Sequence, residues 1–299
     1  MTEKSVLLSG ASGMLGTALL QKFVKVGWHV TALHNNNPIA FQHELISPIK
    51  VDIQNKAELS TKLNGKLFDV FIHCAACTNL ELCEQDLSVA LSANVVGTKN
   101  LLDVIRRSDG VTTKTVYISS DAVYPDVGGS KLESLTACPS TIYGLTKLWG
   151  EQLISLYSPQ SLIFRTTIIG PAANQFISWI IQHGNAQREI PLFTDVYFTP
   201  ISVDNLSEII YLAIVKNLAD IYNAGATDSM SKAQFGKLVL TEANLPCKIK
   251  PTELSSLRSS VKRSHNMSLD STALYDALQH PGFSIIDAVK SAVATLKRL

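Results

Sequence analysis

Charge is scarce in this 299-residue sequence: charged residues make up 17% and the formal net charge is +1. That balance argues against the basic footprint of a protein that binds nucleic acid or an anionic membrane surface. Long apolar runs are missing too, since none approaches the roughly 18–20 residues needed to cross a bilayer. The start, "MTEKSVLLSGASG", passes from a short charged stretch into a strand-like segment without the apolar core of a signal peptide. Cysteines number five, an odd count in a chain large enough to bury a core without disulfides, which fits a reducing compartment. These absences predict a cytoplasmic protein that acts on small molecules, with no nucleic-acid or membrane partner.

What is present is alternation. Short runs rich in Val, Ile, Leu and Phe ("SVLLSG", "HVTALH", "ISPIKVD", "DVFIHCAA", "TVYISS", "SLIFRTTIIG") are separated by segments of helical period. Strands alternating with helices predict βαβ units and a parallel sheet covered on both faces. After Gly170 the alternation fades, and "DIYNAGA" then reads as a strand that returns to the sheet. The expectation is an α/β chain: a Rossmann-like, doubly wound domain over residues 1–170 plus about 220–240, and a smaller C-terminal substrate-binding lobe over about 171–219 and 241–299.

Directly after the first strand, "GASGMLG" sets Gly10, Gly13 and Gly16 three residues apart, with Ser12 between them, and a helix-like segment follows. Glycines there permit a tight turn and close backbone approach to a pyrophosphate, which the free N–H groups and dipole of a helix start favour. The second strand ends in His34, Asn35 and Asn36, not in the acidic residue that usually holds an NAD ribose hydroxyl. With no carboxylate to repel a 2′-phosphate, Asn35 leans the expectation toward NADP, with NAD as the alternative. Asp52 and Ile53, after the third strand, suit an adenine edge contact and a hydrophobic wall.

Cys74 and Cys77 form a C-x-x-C, with Cys83 six residues on. Zinc would need a fourth ligand that no second C-x-x-C or histidine pair supplies, and a thioredoxin-like pair would normally open a helix after a first strand. No metal is expected. The small residues Ala75, Ala76 and Cys77 at a strand's end are better read as backbone passing close to the cofactor. His73, alone on an apolar strand, reads as a core residue.

In "PSTIYGLTKLWGEQLISLY", Ile142, Leu145, Trp149, Leu153 and Leu156 share one helical stripe. Tyr143 and Lys147 lie together on a strip away from it, so packing toward the core does not call for them there. A cation within about 4–6 Å favours a phenolate, so Lys147 is expected to lower the pKa of Tyr143. A tyrosine so tuned exchanges a proton with a carbonyl oxygen while a nicotinamide exchanges hydride. The fifth strand ends in Ser119 and Ser120, at the sheet's carboxyl edge, where such a carbonyl needs a hydrogen-bond donor.

In this order, the glycine loop, strand-end serines and Tyr-x-x-x-Lys resemble the extended short-chain dehydrogenase/reductase superfamily, and most closely its dTDP-4-dehydrorhamnose reductase family. "GASGMLG", "CAACTNLELCEQDLSVALSANVVGT", "YISSDAVYPD", "YGLTKLWGE", "FRTTIIGP" and "KRSHNMSLDSTAL" are similar to that family's blocks. The resemblance implies Tyr143 as proton donor, Lys147 on the nicotinamide ribose and Ser120 orienting the keto oxygen. It places Gly13, Met14 and Leu15 at the pyrophosphate, Asp52 and Ile53 at the adenine, and Ala75, Ala76 and Cys77 along the cofactor. A nucleotide-sugar substrate is implied, and a homodimer through helices flanking the sheet is allowed.

Related dehydratases follow the catalytic hydroxyl residue with Asp and Glu. Here Asp121 is followed by Ala122, which disfavours elimination. In "TDVYFTP", Val196 and Phe198 replace the family's glutamine and glycine, and Lys131 stands where an aromatic is usual. The expected activity is NAD(P)H-dependent reduction of a nucleotide-linked 4-keto sugar. The alternatives are an epimerase that keeps its cofactor bound and a regulatory subunit that binds nucleotide without turnover.

Overall fold

The computed structural model describes residues 4–105, 113–171, 175–246, 248–256 and 262–296. Each apolar run becomes a strand: β1 (Ser5–Ser9), β2 (His29–His34), β3 (Ile46–Lys50), β4 (Val70–His73), β5 (Lys114–Ile118) and β6 (Leu162–Thr166). A seventh strand, Asp220–Ala224, lies beside β6, and the sheet then runs β6, β5, β4, β1, β2, β3 with every neighbouring pair parallel. The chain therefore winds outward in both directions from the β1/β4 pair. At that switch point the connections leave on opposite faces, and a crevice opens at the carboxyl ends of the strands.

Alternate residues of each strand feed opposite faces. Leu7, Leu33, Phe71, Tyr117 and Ile163 pack under the helices Lys56–Leu63, Gly97–Ile105 and Ile142–Tyr157. Val6, Leu8, Val30, Ile72, Val116 and Phe164 face α1 (Met14–Lys25) and the helix Val203–Val215. Both faces are thus apolar, which is why the strands lack the polar alternation of a half-exposed sheet.

A second core gathers Ile177, Ile180, Ile190, Phe198, Phe235, Val239, Ile285 and Val289 into the smaller lobe. Packing divides the chain differently from the expected ranges. The helix Val203–Val215, expected in the lobe, sends Leu206, Ile209 and Ile210 into the main core. The helix Lys232–Glu242, mostly assigned to the sheet domain, sends Phe235, Val239 and Leu240 into the lobe. Both helices are apolar on one side, and periodicity alone does not say which core receives that side. The short pairing of Ile201–Ser202 with Ile168–Ile169 brings the chain back to the end of β6 before the first of them begins. Among the described residues no helix is long and apolar enough to cross a membrane, and no group of three His, Cys, Asp or Glu could hold a metal ion.

Candidate active site

Gly10 turns left-handed after β1 with φ +69°, a conformation that costs glycine nothing. A Cβ on Gly10 would stand 2.7 Å from the Ala75 nitrogen, and one on Gly16 would stand 2.2 Å from the Gly10 carbonyl oxygen. Loop, first helical turn and the segment after β4 therefore meet backbone to backbone. Gly13 caps α1 without a side-chain hydrogen bond, and no acidic residue lies in the first turn. The N–H groups of Met14, Leu15 and Gly16 consequently have no acceptor within the helix. Free donors at a positive helix end, with no Cβ in the way, fit the pyrophosphate of a dinucleotide.

The neighbouring positions frame the same crevice. Ala11 donates to the Leu33 carbonyl at 3.0 Å, tying the loop to the end of β2, where Asn35 is exposed. Asp52 accepts from the Gln54 N–H at 2.9 Å, and Ile53 leans on Gly97, where a Cβ would lie 2.7 Å from its Cδ1. Ser12 is partly exposed on the loop.

After β4, Asn94 does work that the sequence analysis did not assign. It sits in a π-helical turn, Ser92–Val96, accepts from the Cys77 N–H at 2.7 Å, and donates to the Cys77 carbonyl at 3.1 Å and to the Thr146 hydroxyl at 2.9 Å. One amide thus joins the Ala75-Ala76-Cys77 wall to the tyrosine helix. A buried amide inside "SANVVGT" was its only trace in the sequence. His73 is buried with both ring nitrogens engaged, by Ser9 at 2.6 Å and Thr98 at 2.8 Å. Burial, helped by Lys147, pulls it down to about 3, so it is neutral. The described cysteines are free thiols, with the sulfurs of Cys77 and Cys83 3.7 Å apart. Burial pushes Cys74 and Cys83 up to about 12.

The two strand-end serines have separate partners. Ser119 donates to Glu151 at 2.5 Å, and Glu151 forms a buried fork with Arg165, whose Nη2 and Nε lie 2.7 and 3.0 Å from its oxygens. Ser120 instead donates to Asp121 at 2.9 Å and touches the Tyr143 phenol, while Thr167 donates to the other Asp121 oxygen at 2.6 Å. The serine beside Tyr143 is therefore Ser120.

The tyrosine helix is not oriented as its apolar stripe implied. Leu156, placed on the core stripe, is 75% exposed, whereas Lys147 is 3% exposed. Two glycines account for this: a Cβ on Gly144 would lie 2.2 Å from the Ala122 oxygen, and one on Gly150 2.1 Å from the Tyr117 hydroxyl. The helix presses its small residues onto the sheet edge, burying Gly144, Lys147, Gly150 and Glu151, so the Tyr143 and Lys147 strip turns inward.

The electrostatics also depart from expectation. Burial raises the Tyr143 phenol; the Ser120 contact opposes this, and Asp121 and the thiols of Cys83 and Cys77 add to it. The net shift is upward, not the lowering expected from Lys147. The Lys147 ammonium lies 4.1 Å above the Tyr117 ring, and burial brings it down to about 7 against the pull of Glu151. Lys232, in the lobe, is likewise brought down to about 7 by burial.

These shifts make stability depend on pH. Between the folded value of about 7 and the ordinary 10.5, the unfolded chain holds a proton that each folded lysine has released. Stability then rises with pH. Above the ordinary thiol value of 9.0 the rise is opposed, because Cys74 and Cys83 keep their protons only when folded. We expect the melting temperature of the ligand-free protein to climb from pH 7 to 9, and to climb less in Lys147→Met; a flat profile in the parent would show that these amines are solvated.

Beyond Ser120 a cavity of about 260 Å³ opens, with Asp121, Ala122, Val196, Lys232, Lys262 and Arg263 in its walls. Val196 and Phe198 are buried. Lys131 is buried as well and donates to the carbonyls of Val127 and Asn266, both at 2.7 Å, so it staples the lobe where an aromatic was expected.

A doubly wound sheet that carries this glycine cradle, with Ser120 at the end of β5 and Tyr143 and Lys147 on the helix beside it, is the framework of the extended short-chain dehydrogenase/reductase superfamily, and the protein belongs to it. Within that class it belongs to the family described as RmlD substrate binding domain, which matches residues 4–298. Spore coat polysaccharide biosynthesis protein SpsK of Bacillus subtilis is 24% identical over 242 residues, 80% of each chain. The dTDP-4-dehydrorhamnose reductase of Escherichia coli is 24% identical over 246 residues, 80% of this chain and 78% of that one. The structure of dTDP-4-dehydrorhamnose reductase from Bacillus anthracis in complex with NADP has the same fold, with a TM-score of 0.84, 22% identity and 99% of both chains covered.

Proposed function

We propose that the protein reduces the keto group of a nucleotide-linked 4-keto sugar with NADPH, Tyr143 giving the proton. The observation that carries this reading is the meeting of the Ser120 hydroxyl with a phenol whose pKa is raised by burial. A phenol held above its ordinary value is fully protonated at neutral pH, the form a ketone reduction consumes. A nicotinamide dinucleotide, when bound there, would supply the hydride for the carbonyl carbon. Gly10, Ser12, Gly13, Met14, Leu15 and Gly16 would hold its pyrophosphate, Asn35, Asp52 and Ile53 its adenosine end, and Ala75, Ala76 and Cys77 its length, with Lys147 on the ribose beside Tyr143.

Ser120 orients the carbonyl oxygen, and Tyr143 passes its proton to that oxygen as charge builds there. Ala122 has only a methyl group where the elimination glutamate of related dehydratases would stand, which favours reduction over loss of water. The nucleotide sugar enters through the cavity between β5 and the lobe. The relatives named dTDP-4-dehydrorhamnose reductase support a substrate of this class.

The test is consumption of NADPH against a dTDP-4-keto-6-deoxy sugar generated in place by a dehydratase. Loss of one reduced nicotinamide per ketone is the expected result. Protein that copurifies with stoichiometric oxidised cofactor, and interconverts sugar epimers without consuming NADPH, would instead be an epimerase.

A further inference from the structure

The buried and half-buried lysines of this chain are not equivalent. Lys131 spends its donors on backbone carbonyls, and Lys147 lies on the tyrosine helix beside the cofactor crevice. Lys232 is different in three respects. It is the first residue of the helix Lys232–Glu242, where the helix dipole disfavours a cation. Its ammonium sits 3.2 Å above the centre of the Phe198 ring and 4.9 Å from that of Phe176, in a wall of the cavity. Among the described residues its ammonium has neither a hydrogen-bond acceptor nor an ion-pair partner. Aromatic faces offset part of the cost of removing an ammonium from water, but they use none of its three N–H donors.

The charged groups around it do not complete it. Asp121 already accepts from Ser120 and Thr167, and burial raises its pKa. Arg263, paired with Glu81 at 2.8 Å, repels it. A cation kept at an unfavourable helix end, half-buried over aromatic rings and facing a cavity is completed by an anion that arrives with the ligand. Asp121 is adjacent in sequence to Ser120, and both Asp121 and Lys232 line this cavity. The reacting carbon must lie against Ser120, so the anion is carried on the same sugar ring and not on the diphosphate.

We propose that Lys232 is a specificity-determining residue that receives an anionic substituent, a carboxylate, on the sugar of the nucleotide-linked substrate. This rests on the nucleotide-sugar reading above. Phe198, which replaces the family's usual glycine, is then the seat of that lysine and not an accident of drift.

The test compares matched pairs, UDP-glucuronate with UDP-glucose and the corresponding thymidine diphosphate pair, titrated into the full chain with NADPH present. Within each pair the nucleotide and diphosphate are identical, so the difference isolates the carboxylate. The parent should bind the acid about tenfold or more tightly than the neutral sugar in at least one pair. Lys232→Met should remove that gap by weakening the acid alone, and an unchanged NADPH-induced rise in melting temperature will show that the variant is folded. Equal weakening of both sugars would assign the amine to the diphosphate, and equal affinities in the parent would leave the lysine with packing only; either overturns the proposal while leaving the nucleotide-sugar reading intact. If no nucleotide sugar of either series binds while NADPH does, the broader reading fails and this one with it.

Discussion

Tyr143→Phe is expected to cut turnover by about 10²-fold or more while NADPH binding survives. The substitution removes one oxygen from a partly buried ring, so the helix, its glycine contacts and the Asn94 bridge stay in place. What is lost is the proton that the new alcohol needs, and water reaching a site lined by Ser120 and Asp121 is a poor substitute in position. The loss should appear in kcat, with the NADPH-induced rise in melting temperature unchanged, since the cofactor cradle lies on α1 and the β4 loop. Turnover retained within a factor of about three would show that the phenol does not supply the proton. Protein that binds NADPH, lacks turnover altogether and loses no function on this change would be the regulatory subunit.

Arg165→Met is expected to destabilise the fold by about 3–5 kcal/mol, measured by denaturant unfolding. Both ends of the Glu151–Arg165 pair are nearly inaccessible, with side chains 3% and 6% exposed. Removing the guanidinium leaves a carboxylate buried with the Ser119 hydroxyl as its remaining donor among the described residues. Replacing both partners by apolar residues should recover much of the loss, because no charge is then stranded. If the single and double changes cost the same, the arginine stabilises through packing on Tyr124, which it covers at 4.7 Å, and not through its charge.

The parallel sheet was legible because its central strands β1, β4, β5 and β6 are buried on both faces and so are written as largely apolar runs. The glycine cradle was legible because each of Gly10 and Gly16 meets backbone that no Cβ could approach. The tyrosine helix was misread for a physical reason. Its most apolar stripe ends in the exposed Leu156, while the face that packs closest is built of glycines, a lysine and a glutamate, which a hydrophobic period does not detect. The pKa of Tyr143 was expected to fall and burial raises it instead, because spacing along a helix says nothing about how much solvent each group loses. Lys131 and Phe198 were noticed as departures, yet only packing shows that one staples the lobe and the other seats Lys232.

Asn94 gives the site a mechanical property. Because a single side chain grips the peptide at Cys77 and the hydroxyl of Thr146, the segment after β4 and the rod bearing the phenol are geared together. A displacement of either part is therefore passed to the other through one amide, and the spacing between the Ala75-Ala76-Cys77 segment and Tyr143 is held by that link.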